Sequence, residues 1–291
     1  WVINYLTDRQ QYVFHDGINS SLSDVSSGVP QGSVISPTLF CIFISNLNPI
    51  SNRNKMFKYA DDIALIIHHD NSINDELMCS NETNNILSWA TTNGITMNIS
   101  KTSRILLEKS TTGTHVNNYN CFVDIERKKT IAILGFLTDD QLSWRYHVEA
   151  IVKKSSRNIH LLRSLKRFVD KKNLIIIYNS LIQSVIDYGS IIMVGSIRNT
   201  DKQSINTVVK RCHRIICGNN CDNNCISNQE ERRLSKALEF FLKALHNNSN
   251  TLHTRIPKYL PSGRRLNVPF AATSRYLNSF IPFMTTRFNN I

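Results

Sequence analysis

The 291-residue sequence predicts an α+β fold, an antiparallel sheet with packed helices followed by a helical unit and a helical C-terminal segment. Two patterns carry that prediction. Before residue 135, short apolar stretches alternate in steps of two around turn-forming residues; beyond it, apolar residues step at three and four. The change of period puts a boundary near residue 136, giving residues 1–135 a sheet-containing domain, 136–200 an all-helical one and 201–291 a helical and irregular tail. Nothing repeats at a fixed period, and no low-complexity linker divides the chain.

Residues 20–37 are rich in Ser, Gly and Pro and read as a structured loop. Ser36 followed by Pro37 predicts a helix start, a capping hydroxyl with proline at the first helical position. Leu39 to Ile44 is apolar on every face, which predicts a fully buried helix. Met56 to His68 reads as two short strands around a tight turn at Ala60-Asp61-Asp62. A helix over about Asn74 to Asn93 gathers Leu77, Thr83, Ile86, Leu87 and Ala90 near one face and stops at Gly94. Ile95, Met97 and Ile99 alternate as a strand, with further strand candidates at Ile105–Leu107 and Ile131–Leu134. Val148, Ile151, Val152, Ser155, Ile159, Leu162 and Leu165 predict an amphipathic helix over Tyr146–Phe168, and Leu174–Ile186 a second, more buried one. From about residue 201 the pattern is helical to Leu245, then irregular around Pro257, Pro261 and Pro269.

Composition narrows the partners. Thirty-four Lys and Arg against twenty-two Asp and Glu leave a formal charge of +12, which favours a polyanion. No stretch reaches the ~18 consecutive apolar residues of a membrane span, and the N-terminus lacks the charged-then-apolar pattern of a secretory signal. The chain starts at Trp1, which reads as a segment of a longer protein. Seven cysteines, an odd count, with Cys41, Cys79 and Cys121 among apolar neighbours, suggest reduced thiols of an intracellular protein.

Asp61 and Asp62 fall at the expected hairpin tip. Adjacent carboxylates repel by about 4 kcal/mol at 4 Å with an effective dielectric of 20, and a hard divalent cation such as Mg²⁺ relieves the repulsion. Alone, the pair reads more simply as a solvated turn. The loop upstream, Gly28-Val29-Pro30-Gln31-Gly32-Ser33, is a stiffened turn with glycines where a backbone passes close to a ligand, and the Gln31 amide suits a base or a template sugar. Ordinary turn chemistry leading into a core helix is the alternative for the loop.

Together, this loop, the apolar helix after it and Phe57-Lys58-Tyr59-Ala60-Asp61-Asp62 resemble motifs B and C of reverse transcriptases, polymerases that copy RNA into DNA. Trp1 to Val13, through Tyr5-Leu6 and Arg9-Gln10, resembles the segment before motif B in non-LTR (LINE-type) retrotransposon polymerases. Gly94-Ile95 through Asn98, Lys101 and Thr102 resembles motif D, and Leu134-Gly135-Phe136 the primer-grip motif E. Leu142-Ser143-Trp144, His147, Lys153-Lys154 and Leu161-Leu162 follow the thumb pattern of these elements. Arg232-Arg233, Phe240-Phe241 and the stretch from Thr273 to Pro282 resemble the end of jockey-type open reading frames. The resemblance covers nearly the whole chain, with one departure at Ser45-Asn46-Leu47, where Asn-Asp-Leu is usual.

The resemblance implies a partial polymerase palm over 1–135, a helical thumb over 136–200, and Mg²⁺-dependent nucleotidyl transfer to a primer 3′-hydroxyl by a two-metal scheme. It implies Asp61 and Asp62 as catalytic metal ligands, Tyr59 at the primer end or incoming nucleotide, and Gln31 and Gly32 against template and nucleotide. Leu134 and Gly135 then position the primer. Lys101 either protonates the leaving pyrophosphate or is a solvated turn lysine. The implied partners are an RNA template, a DNA primer or target and dNTPs, with no membrane, in a ribonucleoprotein of nucleus and cytoplasm. Family members take a third carboxylate from motif A, upstream of the Trp1-like segment. Asp8, Asp16 and Asp24 do not match it, so the chain is expected to lack motif A, the fingers and any endonuclease and not to polymerise alone. A nucleic-acid-binding remnant without catalysis is the competing class.

Two further clusters stand out. Arg145 to Lys172 holds nine Lys or Arg against Glu149 and Asp170, opposite an apolar stripe, and Lys153, Lys154 and Arg157 are its candidate phosphate contacts; a solvated face is the alternative. Cys212, Cys217, Cys221 and Cys225, with His213 and His246 nearby, invite a zinc reading. Their spacing is not the usual Cys-x-x-Cys, and Cys212 and Cys217 fall at helix-core positions, which favours buried thiols.

Overall fold

The computed structural model describes residues 1–69, 74–107, 125–218 and 228–290. They form two compact units, one over Trp1–Ser103 and one from Arg127 onward. The first contains α1 (Val2–Leu6), the two-stranded ladders β1 (Gln10–Gln11) with β4 (Ser23–Asp24) and β2 (Phe14–His15) with β3 (Ile18–Asn19), and α2 (Ser36–Phe43). The hairpin of β5 (Lys55–Tyr59) and β6 (Asp62–Ile66), α3 (Asn74–Thr92) and a 3-10 turn (Ile99–Lys101) complete it. The chain crosses to the second unit through β7 (Ser103–Arg104) and β8 (Glu126–Arg127). There the hairpin of β9 (Thr130–Ile133) and β10 (Phe136–Asp139) precedes helices α4 (Arg145–Leu165), α5 (Lys171–Tyr178), α6 (Ser184–Asp187), α7 (Asn199–Cys217), α8 (Gln229–His246), α9 (Ser274–Leu277) and α10 (Phe280–Phe288). The class is α+β, with the described strands in two-stranded ladders rather than one sheet. The hairpin Thr130–Asp139, which the expected division at residue 136 would cut, lies wholly in the second unit.

Helix α3 supports the first unit through an internal carboxylate. Glu82 is almost fully buried and accepts from the backbone N–H groups of Ile50 and Ser51, both at 3.0 Å, and from Asn54 Nδ2 at 2.7 Å. Buried Asn54 in turn accepts from His68 N, so one helix residue fixes both the approach to β5 and the exit from β6. Trp89 Nε1 donates to Asn46 Oδ1 and Asn85 to the Asn48 carbonyl, which binds the segment after α2 to α3. Gly94, at φ 69°, ends α3 as expected, with Ile95 N–H closing on the Ala90 carbonyl.

Several expectations fail for local reasons. Ser36 does not cap α2: Ile35 is the cap residue, and the Ser36 hydroxyl donates to the Pro30 carbonyl at 2.6 Å. Nor is α2 fully buried. Ile42 and Phe43 are exposed, and within the helix only Ser36 is buried, because this unit covers one flank alone. Ile95, Met97 and Ile99 form no strand; Asn98 Oδ1 accepts from Lys101 N and winds the chain into the 3-10 turn, a side-chain bond that competes with a ladder. The strand expected at Ile105–Leu107 lies two residues earlier, at Ser103–Arg104. The expected irregular tail carries α9 and α10; Thr273 Oγ1 caps α9 by accepting from Tyr276 N, and Pro282 is tolerated in the first turn of α10, where its missing N–H has no helical partner anyway.

The second unit has two apolar clusters. In one, Val148, Ile151, Ile159 and Leu162 of α4 pack with Leu174, Tyr178 and Ile182 and with Ile205, Val208, Cys212 and Ile216 of α7. The other joins Ala237, Phe241 and Ala244 of α8 to Ile256, Leu266 and Met284. A polar knot ties α6 to α8: Asp187 accepts from Arg232 Nη2 and Lys236 Nζ, both at 2.7 Å, and from Gln183 Nε2 at 2.8 Å. Burial pushes the Asp187 pKa up, but hydrogen bonds from Arg232, Lys236 and Gln183 outweigh it and hold the carboxyl below its ordinary value. A carboxyl depressed in the folded state stabilises fully above its unfolded pKa of about 4 and loses that contribution as pH falls below it. Asp187→Asn is therefore expected to cost on the order of 2 kcal/mol at pH 7 in urea unfolding, and to shed the part of the acid sensitivity below about pH 4 that Asp187 contributes. An unchanged midpoint would show that the knot contributes nothing.

Candidate active site

The β5–β6 hairpin pairs Lys55 with Ile66 through to Tyr59 with Asp62, so only Ala60 and Asp61 make the connection. A two-residue hairpin turn needs positive φ at one or both central positions, and here Ala60 supplies it at φ 50°. For a residue with a Cβ this conformation costs roughly 1–2 kcal/mol, so the surroundings must hold it. Period two puts Lys55, Phe57 and Tyr59 on the exposed face of β5, with Tyr59 67% exposed, and both Asp61 and Asp62 are exposed at the tip.

Lys58 faces the other way. Its Nζ donates to the carbonyls of Ile44, at 2.7 Å, and Ser45, at 3.3 Å, where α2 ends. A helix C-terminus presents unpaired carbonyls and the negative end of its dipole, so a cation belongs there. Burial lowers the Lys58 pKa from its ordinary value. The loop at the other end of α2 is tied twice. Arg9 Nη2 donates to the Gly28 carbonyl at 2.7 Å, and Ser36 Oγ to that of Pro30. Gly28 and Gly32 both adopt φ 80°, where a side chain would be strained, and Gln31 and Gly32 are exposed. Arg9, loop, α2, Lys58 and acidic tip thus form one chain of contacts, and neither Arg9 nor Lys58 was assigned a role from sequence. The signal for Lys58 was its position in a strand between Phe57 and Tyr59, where period two turns it inward.

The tip gathers two carboxylates and no more: among the described residues, no group of three or more His, Cys, Asp or Glu side chains is close enough to hold a metal ion. Lys101 is exposed at the end of its 3-10 turn, held there by its backbone bond to Asn98. Cys212 is fully buried in the α7 core and its thiol is pushed up to about 11, chiefly by burial, whereas Cys217 is half-buried. Cys221 and Cys225 of the supposed zinc cluster lie outside the described residues.

In the second unit, Leu134 and Gly135 form a two-residue hairpin turn with φ 49° and 83°, so each sits in the left-handed region. Tyr188 fixes it: the phenol donates to the Leu134 carbonyl at 2.7 Å, and its ring stacks on Phe136 with centroids 5.1 Å apart. Phe136 packs in turn against His147, whose Nδ1 accepts from Leu137 N at 3.4 Å and whose pKa burial lowers. Gly189 is required beside Tyr188, since a Cβ there would stand 1.8 Å from the Phe136 ring. Asp139, buried at the end of β10, accepts from the N–H groups of Gln141, Ser143 and Trp144 and so caps the approach to α4. On α4, Lys153, Lys154 and Arg157 are exposed, opposite the buried stripe of Val148, Ile151, Ser155, Ile159 and Leu162.

Comparison with known proteins adds a family resemblance. Residues 1–138, a little under half of the chain, match the family described as reverse transcriptase (RNA-dependent DNA polymerase). The chain is also similar to polymerases of jockey mobile elements. It is 24% identical over 198 residues to the RNA-directed DNA polymerase from mobile element jockey of Drosophila melanogaster, covering 65% of this chain and 22% of the relative. It is 27% identical over 159 residues to the corresponding polymerase of Drosophila funebris, covering 49% and 16%. The chain thus spans about a fifth of the length of these relatives. No solved structure matches it.

The Tyr188 brace gives a test. Tyr188→Phe keeps the ring stack and removes one hydroxyl, so about 1 kcal/mol of stability should be lost in urea unfolding. Gly189→Ala, which drives a methyl into Phe136, is expected to cost several times more. Equal effects would mean that the ring contact does not organise the turn.

Proposed function

We propose that this chain is the palm and thumb portion of an RNA-directed DNA polymerase of a non-LTR retrotransposon, which extends a DNA primer on an RNA template with dNTPs and Mg²⁺. The observation that carries the reading is the exposed Asp61-Asp62 tip, tied through Lys58 and α2 to the Gly28–Ser33 loop. Two carboxylates are fewer oxygen donors than a magnesium pair takes, and the described residues do not complete such a site. The roles assigned to this chain's own groups are therefore positional. Tyr59 lies beside the primer end, Gln31 and Gly32 contact template and nucleotide, Leu134 and Gly135 seat the primer strand, and Lys101 donates a proton to the leaving pyrophosphate. Such a reaction asks mainly for alignment and charge neutralisation, so a few fixed groups suffice. A binding-only remnant would share the basic α4 face, but the Asp61-Asp62 pair would then have no use.

This chain alone should show no primer extension above an Asp61→Ala control on an RNA template with Mg²⁺. A longer product of the same reading frame that includes a third carboxylate should extend the primer, and Asp61→Ala should abolish that extension. Absence of extension in the longer product would sink the polymerase reading; extension by the short chain would show that its site is complete. The exposed α4 face is read as a thumb surface for the nucleic-acid backbone. Replacing Lys153, Lys154 and Arg157 by Gln is expected to lower the slope of log affinity against log salt by about 2 for single-stranded RNA, at roughly 0.7 per contact. A slope that does not move would exclude these three as phosphate contacts.

A further inference from the structure

Between the last turns of α4 and α7 lies a concavity of about 440 Å³, lined by Arg163, Lys166, Arg211, Arg214 and Ile215. Each helix contributes two cations three residues apart, a spacing that stacks both on one face. All four cations are exposed, and among the described residues none of them makes an ion pair and no carboxylate lines the hollow. Helix C-termini favour cations, which accounts for Arg163 and Arg214 in the last turns. It does not account for a second cation on each helix, converging on the same hollow, where like charges raise one another's energy.

This hollow is not the face already described. At 3.6 residues per turn, Arg163 lies roughly 120° around α4 from the centre of Lys153, Lys154 and Arg157, and about 12 Å further along the axis. The chemistry also narrows the ligand. Three of the four cations are arginines, whose planar fork pairs with two phosphate oxygens at once. Among the described residues no aromatic side chain lines the site, so they offer no platform on which bases could stack. We infer that the α4–α7 cleft is a second phosphate-binding site, which grips the backbone of an RNA strand without reading its sequence. The inference deepens the nucleic-acid part of the reading above and does not require the chain to polymerise.

The test is salt-dependent binding of a mixed-sequence single-stranded RNA to the whole chain. Arg163→Gln with Arg214→Gln should lower the slope by about 1.4, at roughly 0.7 per contact, and should add to the loss from the α4-face variant. A control pair of exposed cations in the tail, Lys258→Gln with Arg264→Gln, should leave the slope unchanged. Thermal melting of each variant establishes that the fold survives, and Arg163→Lys with Arg214→Lys should restore the slope but not the full affinity. An unchanged slope in the cleft variant, or an equal fall in the control pair, would overturn the site. Loss of RNA binding in the cleft variant, together with failure of the longer product to extend a primer, would support the cleft while refuting the polymerase.

Discussion

Lys58 is the constraint on which the first unit's site depends. Its ammonium sits on the Ile44 and Ser45 carbonyls just past the end of α2, while its neighbours in the strand face outward. Because strand side chains alternate, turning Lys58 inward obliges Tyr59 to point out, and the Tyr59–Asp62 pairing then leaves the carboxylates at the tip. A register slip of one residue would release Lys58 and bury the face that carries Tyr59. The same contact fixes the hairpin against α2, and α2 is fixed at its start by the Ser36 bond to Pro30. A helix of eight residues thereby acts as a spacer between the Gly28–Ser33 loop and the acidic turn.

Both proposed substrate-positioning turns share a second device. Ala60 and Leu134 are non-glycine residues held at φ 50° and 49°, a conformation that each would leave if its strands were free. Each turn is anchored to another element of its own unit: Lys58 of the hairpin reaches the end of α2, and Tyr188 reaches the Leu134 carbonyl. Strain at such positions persists only where the surroundings over-determine it, and these anchors supply the determination. The residues at the tips, Asp61, Asp62 and Gly135, are then free to face a ligand while the strands behind them carry the load.

Much of this was legible because local signals agreed. The hairpin at Ala60-Asp61, the end of α3 at Gly94 and the stripe of α4 follow from turn chemistry and periodicity alone, and all appear in the structure. Where the reading failed, a side chain had two possible partners. Ser36 could cap its own helix or bond the Pro30 carbonyl, and only the tertiary fold decides. Asn98 defeats the Ile95–Ile99 alternation by bonding its own backbone. The anchors Arg9 and Tyr188 were illegible for a different reason: each acts across a gap in sequence, on a carbonyl that carries no residue identity. The candidate site was readable in its exposed groups and unreadable in what holds them.

Charge completes the connection between fold and function. At Asp61-Asp62 the chain places like negative charges side by side; in the α4–α7 cleft it places like positive charges together. Neither arrangement helps folding, since each unit could have neutralised its cluster internally, as it does at Asp187 with Arg232 and Lys236. That contrast separates structural from functional charge within one molecule. The Asp187 knot is partly buried and satisfied from several sides, which makes it a device of stability. The two open clusters are exposed to solvent, and the proposed functions give each a counter-charge: cations at the tip, phosphates at the cleft. On the proposed reading, nucleotidyl transfer on a nucleic acid would bring both, and a single polyanionic substrate with its counter-ions would account for clusters of opposite sign.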